Sequence, residues 1–209
     1  MIKSGKMYIL EKDSFFNEYF SKTGDDYQID HLNEALKYVP NFGTALDVGA
    51  NYGSWTRHMA KKFNNVYSFE PVDKIYQCLV KNVEEMKNVK LYNNAVGEKR
   101  KMVAVGKGKR YDNAGCSTVI GDGDIQMISI DDLKLNNLDF LKLDIEGYEY
   151  YALMGGIETI KRCKPIIIFE QNIRSMLEHN IPSDKCGNFL VSLGMKLITK
   201  CGDDLIYGW

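Results

Sequence analysis

The sequence contains only four prolines and no proline-rich or repetitive stretch, so no linker divides its 209 residues. A chain of that length accommodates one domain around one core. Its five cysteines, at 78, 116, 163, 186 and 201, are odd in number and include no Cys-x-x-Cys pair. This usage argues against a disulfide framework and a zinc knuckle and fits a reducing cytoplasm. No apolar run exceeds Ile166-Ile167-Ile168-Phe169, far short of the roughly 20 residues that span a bilayer. Met1 to Lys6 lead into no apolar segment, and neither export nor membrane insertion is expected. The formal charge is −1, which supplies no global field for a polyanion, so a nucleic-acid partner is not expected. His31, His58 and His179 share no metal-ligand spacing and read as structural or surface residues.

What is present is alternation. A helix is expected over residues 13–20, and a second begins at Asp30 with Leu32, Ala35, Leu36 and Val39 on one face, closed by Pro40. These make a helical lead over residues 1–41. From residue 42 a strand (Ala45 to Val48), a Gly-rich turn and a helix from Ser54 follow one another. Val66 to Phe69, a helix capped by Asp73 and a strand from Val89 to Tyr92 repeat the cycle, which implies parallel strands with helical crossovers. Residues 99–125 break the rhythm and read as a loop or hairpin insertion beside the sheet. Its charges Lys99, Arg100, Lys101, Lys107, Lys109 and Arg110 read as a solvated face. Leu138 to Leu143 resumes as a strand, followed by one helix over about 147–161, a strand over 165–169 and a helix over 184–193. Met195 to Thr199 and Leu205 to Tyr207 are too close for a crossover and must pair antiparallel. The expected fold is α/β, with a seven-stranded mostly parallel sheet, a C-terminal antiparallel hairpin and helices on both faces, in a domain spanning 42–209.

The chemistry-bearing residues fall at strand ends. Asp47-Val48-Gly49-Ala50-Asn51-Tyr52-Gly53 is a strand entering a helix through Gly-x-x-x-Gly. Gly49 permits the tight turn, and Gly53 permits close approach of a ligand or of the helix to the sheet. Asn51 occupies the place of the middle glycine of a dinucleotide fingerprint, which disfavours pyrophosphate and a nicotinamide dehydrogenase. Glu70, ending the second strand, suits two hydrogen bonds from ribose hydroxyls. Ala95 and Val96, after the third strand, suit a flat adenine slot. Asp144 and Glu146 end the fourth strand and Glu170 the fifth, at the rim where open α/β sheets bind ligands. Asn113 and Ser117 of the glycine-rich insertion would face that rim from above, the insertion acting as a lid.

In order and spacing, the Asp47 to Gly53 turn, Phe69-Glu70-Pro71, Asn94-Ala95-Val96-Gly97, Asn113 to Ser117, Ser129 to Leu133 and Leu141-Lys142-Leu143-Asp144-Ile145-Glu146-Gly147-Tyr148-Glu149 resemble the FkbM-type S-adenosylmethionine-dependent methyltransferases. The resemblance covers about residues 42–209 and implies a Rossmann-like class I methyltransferase fold. It implies the methionine end of S-adenosylmethionine near Asp47, Gly49 and Asn51, the ribose on Glu70 and the adenine near Ala95 and Val96. It also implies O-methylation of a sugar, glycan or small metabolite, and for that reaction the strand-end acids Asp144, Glu146 and Glu170 are the candidate bases or acceptor anchors. These three acids can also hold magnesium or calcium, but no obligatory metal is expected. The alternatives are a methyltransferase acting on nucleic acid, for which an Asn/Asp-Pro-Pro-Tyr motif is missing, and a catalytically silent binding module.

Overall fold

The computed structural model describes residues 1–107 and 117–209. The sequence expectations at Asn113 and Cys116 lie outside these residues. The chain opens with a hairpin, β1 (Ile2–Ser4) and β2 (Met7–Ile9), paired antiparallel. The expected all-helical lead is thereby corrected. Three-residue strands carry no periodicity, and this pair is fixed from outside: Asn82 accepts from the Tyr8 amide at 2.6 Å and donates to its carbonyl at 2.8 Å. Helix α1 (Ser14–Thr23) follows, its first turn capped by the Asp13 carboxylate accepting from the Phe16 amide. Helix α2 (Ile29–Leu36) starts from Gln28 in a left-handed conformation, so Asp30 is a first-turn acid rather than the cap.

The alternating part then runs β3 (Thr44–Val48), α3 (Ser54–Ala60), β4 (Asn65–Phe69), α4 (Asp73–Val83) and β5 (Val89–Tyr92). A second, three-stranded sheet follows: β6 (Ala95–Val96), β7 (Lys101–Lys107) and β8 (Ser117–Ile128), in the order β6-β8-β7. The irregular region is therefore a long hairpin tied to the strand at 95–96. The chain continues with β9 (Phe140–Leu143), α5 (Glu149–Met154), α6 (Ile157–Cys163), β10 (Ile166–Glu170), α7 (Ile173–Glu178), α8 (Lys185–Ser192), β11 (Lys196–Cys201) and β12 (Asp204–Gly208).

The main sheet has seven strands in the order β11-β12-β10-β9-β3-β4-β5. The five strands from β10 to the β5 edge are mutually parallel, and β12 enters antiparallel between β10 and β11. This is the Rossmann-like methyltransferase architecture with its terminal hairpin. Alternate residues of each strand feed opposite cores. Leu46, Val48, Leu141, Leu143, Ile167 and Phe169 pack on one face with Leu153, Ile160 and Leu190 of the later helices. Ala45, Val66, Phe140, Ile166 and Ile168 pack on the other with Leu32, Trp55 and Met59 of α2 and α3. The lead forms a third cluster, in which Met7, Ile9, Phe16 and Phe20 cover Tyr52, Ile75 and Cys78. Among the described residues, no helix is long and apolar enough to cross a membrane.

Candidate functional site

A cavity opens at the C-terminal ends of the parallel strands, where open α/β sheets place their ligands. Gly49, Asn51, Glu70, Asn94, Ala95 and Val96 line one side; Asp144, Glu146, Glu170 and Asp204 line the other. Val105, Ser117, Thr118 and Val119 close it from the small sheet. The β3–α3 turn sets its floor. Gly49 has φ +83°, and a Cβ there would stand 1.8 Å from the Asp144 carbonyl oxygen, so only glycine lets the two strand ends approach this closely. Asn51 takes a left-handed conformation at φ +51°, and its side-chain oxygen is buried without a hydrogen-bond partner.

Glu70 is 6% exposed. One carboxylate oxygen accepts from the Asn51 amide at 3.1 Å and the other from the Val72 amide at 2.8 Å. Burial pushes its carboxyl up to about 7, against the downward pull of those two amides. Two of the sequence-derived candidates stand elsewhere. Asp47 is fully buried and absent from the cavity wall. In the β3 alternation it faces α3, where it accepts from the Thr56 hydroxyl at 2.6 Å and lies 3.2 Å from Lys142. Gly53 is a packing glycine: a Cβ would meet the Leu79 side chain at 2.5 Å, and its φ is +89°.

Lys142 is the residue that the strand pattern concealed, because it interrupts an otherwise apolar run. Its ammonium donates to the Gly49 carbonyl at 2.6 Å and pairs with Asp47 at 3.2 Å and Asp144 at 3.4 Å. Burial opposes its charge, but the two carboxylates outweigh it and hold the lysine protonated. Glu149 was likewise not singled out. It is 1% exposed, and one oxygen accepts from the Ile145 and Gly147 amides at 2.9 and 3.2 Å, which fixes the turn carrying Glu146.

The rim acids converge. Asp144, Glu146 and Glu170 each bring a carboxylate oxygen within 4.8 Å of the others, a spacing that also suits a cation. Glu146 accepts from the Ser175 hydroxyl at 3.1 Å. One Glu170 oxygen is buried without a hydrogen-bond partner. Burial, then Asp144 and Glu146, raise the Glu170 carboxyl far above the carboxylate range. This favours its protonated, hydrogen-bond-donating form over the ionised one. A fourth acid, Asp204, stands opposite Glu170 across the β10–β12 pair and accepts or shares a proton with His31 Nδ1 at 2.8 Å. Asp204 escaped notice because β12 runs antiparallel, so its N-terminal end reaches this rim.

No curated protein matches the chain. Among solved structures, the methyltransferase FkbM of Methylobacillus flagellatus KT is 21% identical over 80% of this chain with a TM-score of 0.56, and this chain spans 43% of its length. A Streptococcus mutans protein in complex with SAH is 13% identical, with coverage of 88% and 98% and a TM-score of 0.54. An rRNA methylase of Streptococcus thermophilus is 10% identical, with coverage of 88% and 96% and a TM-score of 0.50. These likenesses are ones of fold. The sequence model of the methyltransferase FkbM domain matches residues 47–181, from the β3–α3 turn through the acid-bearing ends of β9 and β10, and the chain belongs to that family.

Proposed function

We propose that the protein transfers a methyl group from S-adenosylmethionine to a hydroxyl of a sugar, glycan or other polyhydroxylated small molecule. The residues present fit this cofactor. The unpartnered Asn51 oxygen is an acceptor suited to an ammonium, and the Glu70 carboxylate keeps lone pairs for two ribose hydroxyls beyond the two amides it already holds. Ala95 and Val96 supply an apolar wall for adenine. When bound, the cofactor supplies an electrophilic methyl on a sulfonium.

The observation that carries the acceptor reading is the convergence of Asp144, Glu146 and Glu170 on the free rim. Asp144 and Glu146 offer carboxylate oxygens that accept hydrogen bonds from neighbouring hydroxyls, while Glu170, whose protonated form burial favours, donates one to a hydroxyl or ring oxygen. The proton released from the reacting hydroxyl passes to the Asp144 or Glu146 carboxylate. Ser117 adds a neutral hydroxyl from the small sheet. An acidic rim repels a phosphate backbone, which favours a small or glycan acceptor over the nucleic acid that a fold neighbour methylates.

The test is a screen of sugars, glycans and RNA with methyl-labelled cofactor. Label is expected on a hydroxylated, uncharged acceptor; label on RNA alone would overturn the acceptor reading. Glu146→Gln and Glu170→Ala are each expected to lower turnover at least about tenfold with SAH affinity retained, whereas Glu170→Gln, which keeps a neutral donor, should retain most of the activity. Activity should survive chelation; a requirement for a divalent cation would move the three acids from hydroxyl binding to metal binding.

A further inference from the structure

The family match begins at residue 47, yet Phe15, Phe16, Tyr27 and Gln28 line the same cavity as Gly49, Asn51 and Glu70. The segment carrying them is pinned to the β3–α3 turn and its helix at successive points. Asp13 accepts from the Tyr52 hydroxyl at 2.8 Å. The Asp25 carboxylate accepts from Lys6 at 3.2 Å and Arg57 at 3.1 Å. The Ser54 hydroxyl accepts from the Tyr27 amide at 3.1 Å, and Trp55 donates to the Tyr27 carbonyl at 3.0 Å.

Burial of the fold's own apolar surface accounts for Phe16 and Phe20, which are 7% and 0% exposed. It does not account for Phe15. That ring meets Phe16 and Tyr27 edge-on, yet 49% of the residue stays exposed at the cavity wall. Tyr27 also lines a branch of the cavity shared with Gln28, Asn51, Lys142 and Asp144. Burial, and then Asp144 and Glu170, keep its phenol protonated, so it is a neutral donor between the turn and the acid rim.

We infer that residues 13–28 are part of the cofactor site: Phe15 and Tyr27 close over the methionine and ribose portion of S-adenosylmethionine, with Gln28 as the polar group beside them. This rests on the cofactor reading above. The exposed face of Phe15 is the surface the ligand covers, and removing it loses apolar burial in the complex but little in the free protein.

Calorimetric titration with SAH tests this on the wild type, Phe15→Ala, Phe15→Leu and Leu177→Ala, together with hydrogen exchange of the 13–28 amides with and without SAH. Phe15→Ala is expected to bind SAH about tenfold more weakly with an unchanged melting temperature. Phe15→Leu should recover most of the affinity. Leu177→Ala, equally exposed at 55% but away from this cavity, should bind as the wild type does. Exchange over 13–28 should slow on binding. Wild-type affinity in Phe15→Ala, or unchanged exchange over 13–28, would overturn the inference and leave the cofactor reading standing. A wild type that binds no SAH would overturn both.

Discussion

At the residue scale, two buried ionisable groups make opposite demands. Lys142 neutralises Asp47, and without it a carboxylate with no solvent access is left uncompensated. Lys142→Met is therefore expected to destabilise the fold by about 3–5 kcal/mol in urea titration. Adding Asp47→Asn should restore a large part of that loss, since the penalty belongs to the orphaned charge rather than to the lost pair. Glu70 acts the other way. Its folded carboxyl titrates near 7 against an ordinary 4.5, so between these values the folded state binds more protons than the unfolded one. Stability falls as pH rises through that window, by about 3 kcal/mol from this group. Melting temperatures from pH 5 to 8 should fall more steeply in the wild type than in Glu70→Gln. SAH affinity should rise over the same range and flatten in the variant, because ribose hydroxyls bond more strongly to the ionised carboxylate.

At the scale of elements, the single helix expected over 147–161 is two, broken at Gly155–Gly156. A Cβ at Gly155 would stand 2.1 Å from the Gly97 carbonyl oxygen, and one at Gly156 would press on Ile130 at 3.1 Å. Alanine is the better helix former by about 1 kcal/mol, yet the backbone clash outweighs that preference. Gly155→Ala is expected to cost at least about 2 kcal/mol in equilibrium unfolding. The periodicity of residues 147–161 could not reveal this, because the break is imposed by the β6 end, some 58 residues away in sequence. The central strands were legible for the converse reason: β3, β4, β9 and β10 are covered on both faces and read as apolar runs from their own residues. β1, β2 and α7 are too short to show a period. The β7–β8 hairpin carries glycines and a register shift near Ala104, which erase alternation. At the site, strand-end acids on parallel strands were legible because such ends share one rim. Lys142 and Asp204 were not, since one reads as a flaw in a buried strand and the other sits at the opposite end of a reversed one.

At the scale of the whole molecule, the two ends of the chain meet beside the site. His31, on α2 of the lead, holds Asp204, on β12 of the terminal hairpin, at 2.8 Å. Asp204 is 9% exposed, and burial raises its carboxyl while His31 pulls it back. Asp144 faces it as a further negative charge, partly countered by Lys142. Removing the imidazole withdraws the main group that favours an ionised Asp204. In His31→Ala the carboxyl then moves further up, and the protein must either keep it protonated or bear a buried charge. His31→Ala is therefore expected to cost about 1–3 kcal/mol in urea midpoints, because a buried carboxyl loses its hydrogen-bond partner. Adding Asp204→Asn should restore a large part of that loss, since the penalty belongs to the orphaned carboxyl. An undiminished deficit in the double variant would mean that the lead and the terminal hairpin are joined here by packing alone.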